Sequence, residues 1–437
     1  MALPLKSLAW QLHAAALLCA LLLGIAACAP TEGETGEFDI VKTDNEDFEV
    51  RYVDVGIAPS QVAAGDIDAD GQADLVVSNR FGDDLTILTN GLEDSQTLAT
   101  GKEPSDVVIA ELDGRDGLDL ALVNSRGLSV TIFLNDGEGG WTQSGQFTFL
   151  GVITQLAAVD LNQDGSAAKD LLFTVSVENV LAALVNDGSG NFSLVESSVT
   201  IGPARFVTGL FGEDTSAQDA AVLSPSRDAL NVLSGDGEGG FEIKSGNSID
   251  TRLNPKYLTT LDVNSDGLLD LALTSRTEQR VSVYRGSANG RFPLLIEKKL
   301  VTGSEALVSG AFDTASDGAQ NDLAVVQRNR RIVTILLWNG EQEKFDETRF
   351  QVHEDPFAIV KGDFNVDGCT DLAVTETDLR SMSILAGDCT GDFTITSIGF
   401  SSGPKFPLVV DLDGDGADDI VAVQTQNQKL IVLRNIH

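Results

Sequence analysis

Across 437 residues the chain carries 66 acidic and 29 basic side chains, a formal charge of −37, which excludes nucleic acid and anionic lipid surfaces as electrostatic partners. A hydrophobic share of 42% supports a real core, and the length permits two or three ordinary domains or one large closed all-β domain. With 43 Gly but only 3 Tyr and 3 Trp, the composition suits short strands joined by many turns.

In chain order, Lys6 and the apolar run 14–23 read as the charged and hydrophobic parts of a secretion signal. The run is too short to span a bilayer comfortably. It leads into Ile25-Ala26-Ala27-Cys28, which resembles the bacterial lipobox, with Ile where Leu is usual. The resemblance implies that residues 1–27 are removed and that Cys28 takes a diacylglyceryl group, making the membrane a partner through a lipid anchor. An ordinary signal peptide cut nearby is the alternative. Ala29 stands where an Asp would retain such a lipoprotein at the inner membrane, so the resemblance implies the outer membrane or the cell surface. Residues 28–47 are acidic and lack apolar periodicity, and are expected to form a flexible tether.

From residue 48 to residue 437 one motif recurs. Asp411-Leu412-Asp413-Gly414-Asp415-Gly416-Ala417-Asp418-Asp419 places carboxylates at positions 1, 3, 5 and 9 of a tight turn, with a Gly at position 6 to swing the backbone back. Hard oxygens in that pattern suit Ca2+. An EF-hand loop opens the same way but runs on to a Glu at position 12, whereas this loop stops at Asp419 and enters a strand. Intact copies are Asp66, Asp68, Asp70, Asp74; Asp262, Asn264, Asp266, Asp270; Asp363, Asn365, Asp367, Asp371; and Asp411, Asp413, Asp415, Asp419. A fifth copy, Asp160, Asn162, Asp164, Asp170, has two extra residues before its last ligand. In the copy Glu111, Asp113, Asp116, Asp119 a guanidinium, Arg115, replaces the position-5 oxygen, and no metal is expected there. The stretches 210–219 and 311–322 keep the frame and have lost most ligands.

The eight loops begin at Asp66, Glu111, Asp160, Leu210, Asp262, Ala311, Asp363 and Asp411, a period of 45 to 52 residues that suits propeller blades or solenoid units. Each unit opens with a short apolar strand, often behind a Pro, and the loop leads into a second strand such as Asp74-Leu75-Val76-Val77. A third strand alternates and ends in a glycine turn that meets an aromatic, as in Asn135-Asp136-Gly137-Glu138-Gly139-Gly140-Trp141. The Asp loops and the glycine-turn aromatic together resemble the FG-GAP or VCBS repeat family of integrin-like propellers. The resemblance covers nearly all of 48–437 and implies a β-propeller of four-stranded antiparallel blades. The last unit runs out after its third strand, and residues 48–55 match a fourth strand. Borrowing them closes an eight-bladed ring with no open sheet edge. Such a ring is expected to be a monomer; seven blades with one eroded unit is the alternative. In such a meander the first and third turns share one end, so Cys369 in a loop and Cys389 in a glycine turn are placed for a disulfide, with two free thiols the alternative.

Chemistry-bearing patterns are otherwise sparse. Only His353 and His437 follow the signal segment, and neither a nucleophile triad, a zinc spacing nor a phosphate-cradling loop is present. The carboxylate pairs sit in loops where they serve as ligands rather than general acids. Opposite the loops, where the first strands begin, Gln61, Asp106, Gln155, Arg205, Tyr257 and Phe406 share one register, and Lys256, Phe357 and Lys405 lie one residue earlier. On a propeller these positions ring the mouth of the central channel, and Arg205, Tyr257 and Phe406 are the candidate ligand-binding groups. The expected function is a calcium-stabilised, surface-anchored protein that binds a glycan or a protein partner. The alternative is a calcium-dependent polysaccharide lyase or hydrolase.

Overall fold

The structure, a computed structural model, describes residues 39–42, 47–115, 117–163, 165–212, 217–251, 254–275, 277–313 and 321–436. Lys6, Cys28, Asp116, Asp164 and His437 lie outside them, as does the signal segment. The described chain forms eight sheets, seven of four strands consecutive in sequence and one of five that joins two N-terminal strands to the last three. These are blades 1 to 8, spanning 59–99, 104–148, 153–198, 205–250, 255–299, 306–351, 356–399 and 405–435. First strands of neighbouring blades touch all the way round, including Pro59–Gly65 of blade 1 against Lys405–Val410 of blade 8. The ring therefore closes, with eight blades rather than seven.

Closure is made as the sequence implies. The strand Asp47–Asp54 pairs antiparallel with Lys429–Asn435, from Phe48 opposite Asn435 to Asp54 opposite Lys429, and supplies the fourth strand of blade 8. Phe48 and Val50 are thereby buried in the same core cluster as Ile431 and Leu433. One boundary is corrected. Residues 39–42, which their composition assigns to the tether, form a fifth strand, Asp39–Lys42, paired with Asp47–Val50. Backbone hydrogen bonding by an exposed strand edge needs no apolar pattern, so hydropathy could not reveal it.

The second strand of every blade is buried along its whole length, from Asp74–Asn79 in blade 1 to Asp419–Gln424 in blade 8. It is covered on both faces by neighbouring blades, which is why these strands read as continuous apolar runs rather than alternating ones. Outer strands such as Asp94–Ala99 are mostly exposed. Aromatic pairs weld adjacent blades, Phe149 to Phe173 edge-on at 5.1 Å and Phe312 to Phe393 at 6.0 Å. Cys369 and Cys389 are joined in a disulfide that ties the loop of blade 7 to its glycine turn, with Cα atoms 5.1 Å apart.

Candidate functional site

The intact loops share one geometry. Gly71, Gly267, Gly368 and Gly416 at position 6 have φ between +83° and +91°, and their N–H groups donate to the first carboxylate, on Asp66, Asp262, Asp363 and Asp411, at 2.8 to 3.1 Å. The next N–H donates to the position-5 carboxylate in each copy, as from Gln72 to Asp70 and from Cys369 to Asp367. Position 4 is also left-handed, at Ala69, Ser265 and Val366. For a β-branched residue such as Val366 that conformation is strained, and the motif alone did not announce it.

Two observations favour a cation in these loops. Carboxylate oxygens of Asp66, Asp68 and Asp70 lie within 4.8 Å of one another, as do those of Asp411, Asp413 and Asp419. Asp66 Oδ1 and Asn264 Oδ1 are also buried without a hydrogen-bond partner, a costly state that a bound cation relieves. The same clustering brings Glu111, Asp113 and Asp119 together in the copy expected to be metal-free. There Arg115 Nε stands 3.6 Å from Asp113 Oδ2 as an internal counter-charge. Blade 8 holds a similar device that the loop motif does not contain, since Arg434 pairs with Asp413 and lies 3.8 Å from Glu49. In the fifth copy Asn162 turns its amide to the Asn186 carbonyl at 3.1 Å.

The position-9 aspartates also clamp the backbone. Asp371 Oδ2 accepts the Phe364 N–H at 2.8 Å and Oδ1 accepts the Gly387 N–H at 2.7 Å, clamping the loop to the end of the third strand. Asp119, Asp170, Asp270 and Asp419 repeat that double contact. Burial pushes Asp74, Asp119, Asp270 and Asp419 up to about 6 and Asp371 up to about 7, with neighbouring loop carboxylates adding to the effect against these backbone bonds. A cation beside them would favour the charged form.

At the opposite end, the channel mouth separates into two clusters. Arg205 lies over the Tyr257 ring, 4.7 Å from its centroid, with Lys256 Nζ at 5.1 Å and ion-paired to Glu305. Phe406 belongs to the second cluster, edge-on to Phe357 at 5.7 Å, with Lys405 Nζ 5.9 Å from the Phe357 centroid. Phe406 is 39% exposed and sits at φ +50°, inside the bulge between Lys405 and Leu408. A large aromatic held in that region marks a position the surroundings enforce. Asp106 and Gln155 share its register but stitch first strands together, Asp106 accepting the Leu156 N–H and Gln155 bonding both backbone groups of Phe206. They are inter-blade struts rather than rim groups.

Sequence reasoning missed one buried charge. Glu376 is fully buried at the end of a second strand, where it accepts hydrogen bonds from Ser381, Ser383 and the His353 N–H. His353 Nδ1 stands 3.4 Å from it, and that contact raises the imidazole above its usual range. A Glu inside an apolar strand, with two Ser following at a spacing of two, was the available signal.

Comparison with known proteins adds family and fold. A family model for the FG-GAP repeat matches residues 58–95, which hold the first loop and most of blade 1. No curated protein matches the chain. Among solved structures, Saccharomyces cerevisiae Sqt1 is similar at 12% identity and a TM-score of 0.63, over 88% of this chain and 98% of that one. Pseudomonas aeruginosa PpgL, a periplasmic gluconolactonase, is similar at 16% identity and a TM-score of 0.51, over 82% and 97%. BBS1N, solved in complex with ARL6DN, is similar at 12% identity and a TM-score of 0.52, over 88% and 97%. At these identities the likeness is one of fold alone.

Proposed function

Because this chain is an eight-bladed β-propeller of the FG-GAP repeat family, we propose that it is a calcium-stabilised binding protein, anchored by lipid on Cys28 at the outer membrane or cell surface. Its propeller presents the channel mouth to a glycan or a protein partner. The observation that carries the binding role is the rim itself, where Arg205 over Tyr257 and Phe406 against Phe357 leave cationic and aromatic groups at the surface. A guanidinium grips a carboxylate and an aromatic face stacks on a sugar. Calcium would be held by the intact loops, where it supplies positive charge against converging carboxylates and oxygens without hydrogen bonds. The rest of the chain would act as a rigid frame, since a ring of welded blades has little freedom to rearrange on binding.

The test is replacement of Arg205, Tyr257 and Phe406 together by Ala. Capture of envelope glycan or partner protein is expected to disappear while the calcium-dependent melting temperature stays within a few degrees, because rim side chains carry little packing energy. Undiminished capture would move the binding surface away from the mouth. The anchor is checked by fatty-acid labelling, which Cys28→Ser should abolish.

A further inference from the structure

Between blades 1 and 2, at the loop end of the ring and therefore away from the channel mouth, lies a cleft of about 370 Å³. That volume falls in the range of small-ligand sites, about 300 to 1,000 Å³. Its origin can be traced to one inter-blade contact. Leu134, Val185 and Leu337 occupy one register position near the end of the third strand in blades 2, 3 and 6. The turn glycine of the following blade packs directly on each, so that a Cβ on Gly190, Gly239 or Gly391 would meet them at 3.2, 2.2 and 2.4 Å. Blade 1 has Thr89 at that position, and a Cβ on its counterpart Gly139 would meet nothing within 4 Å. The blade 2 turn therefore stands clear of the third strand of blade 1, and that gap is the cleft.

Its walls are set before any ligand arrives. Trp141 stands where Phe192 and Phe241 stand in the next two blades, and its indole N–H donates to Gln96 Oε1 at 3.2 Å. Gln96 Nε2 in turn donates to the Gly139 carbonyl at 3.3 Å, so the amide is held across the gap between the blades. Ile67 and Ile87 add apolar surface, and Thr89, Ser95 and Asp94 bring hydroxyls and a carboxylate to the same space. Among the described residues neither Lys, Arg nor His lines the cleft, whereas Asp68, Asp94 and Glu138 do, which disfavours an anionic ligand. What fits is a molecule with one apolar C–H face for the indole and a girdle of hydroxyls for the polar groups.

We propose that this inter-blade cleft is a saccharide site that stacks a neutral pyranose unit on Trp141 and holds its hydroxyls through Thr89, Ser95, Asp94 and the fixed amide of Gln96. It goes beyond the channel-mouth reading and does not depend on it. Binding is measured on the full-length protein in detergent and calcium, by calorimetry and by tryptophan fluorescence, with maltohexaose, cellohexaose and N-acetylchitohexaose as neutral probes and polygalacturonate as the acidic one. At least one neutral probe should bind with a Kd below about 10 mM, and polygalacturonate should leave the tryptophan signal unmoved. Thr89→Leu, which fills the cleft, should weaken binding about tenfold or more at an unchanged melting temperature, and Trp141→Ala should weaken it at least as much. The Arg205, Tyr257 and Phe406 triple variant should bind as the parent does, separating this site from the mouth. The proposal is overturned if no neutral probe binds, if Thr89→Leu binds like the parent, or if the triple variant loses the sugar.

Discussion

Blades 6 and 7 are neighbours with the same frame and opposite loops. In blade 7 the loop carries Asp363, Asn365, Asp367 and Asp371; in blade 6 the described part retains Asp313 and Asp322. Yet Asp322 makes the clamp of Asp371, its Oδ2 accepting the Phe312 N–H at 3.0 Å and its Oδ1 the Trp338 N–H at 2.8 Å. Phe312 and Phe364, at position 2 of the two loops, are both buried plugs. Asp219 and Phe211 repeat the arrangement in blade 4. Where a loop lacks the other carboxylates, the plug and the last aspartate stay, because they close the blade by themselves. The motif therefore superposes a backbone clamp, made by the last aspartate in blades 2 to 8, on the carboxylate cradle proposed to hold a cation in some of them.

That division can be broken experimentally. The largest effect is expected from chelation, since extracellular loops bind calcium at about 0.1 to 1 mM and millimolar calcium then contributes roughly 1 to 2 kcal/mol for each occupied site. The melting temperature should fall substantially in EDTA, and a coincident curve would remove the cradle from the account. Next, Asp322→Ala leaves two buried N–H groups unpaired and should cost roughly 2 to 6 kcal/mol, equally with calcium and with EDTA. Asp371→Ala should cost more in calcium than in EDTA, so equal losses for Asp371 would make it a clamp only. Reducing Cys369–Cys389, which blade 6 lacks, should cost about 3 kcal/mol in the chain-entropy model; alkylation before and after reduction would show whether the thiols are paired.

The smallest effect concerns the junction of these two blades, where Glu376 raises His353. A raised folded-state value means that the contact stabilises fully below the unfolded value, near 6.5, and is lost as pH rises through the folded one. Denaturant midpoints should fall over that window in the parent, and His353→Gln should remove that part of the slope. The shift is modest because the imidazole is 42% exposed and water screens it.

Much of this was legible. Asp at position 9 and Gly at position 6 gave away the period, and residues 48–55 betrayed the borrowed strand because Phe48, Val50 and Tyr52 alternate like any fourth strand. Contacts across blades were not legible. Phe406 pairing with Phe357 and the gap beside Thr89 each depend on which side chain a neighbouring blade presents. A repeat aligned in sequence shows what its members share, whereas these features arise where one member differs from its neighbour. The tether was misjudged at 39–42 for another reason, since pairing on a sheet edge uses backbone groups that every composition possesses.

The strand borrowed by blade 8 makes the first folded segment of the chain wait for the last. Phe48 leaves the ribosome long before its partner Asn435, so blades 1 to 7 can assemble in order while the eighth stands open. Until Lys429–Asn435 arrives, that blade exposes a raw edge, the state most prone to join another chain. Completion of the ring therefore waits for the strand Lys429–Asn435. Loss of either Asp47–Asp54 or Lys429–Asn435 opens the same seam, which makes the closing strand a checkpoint on the integrity of the ring.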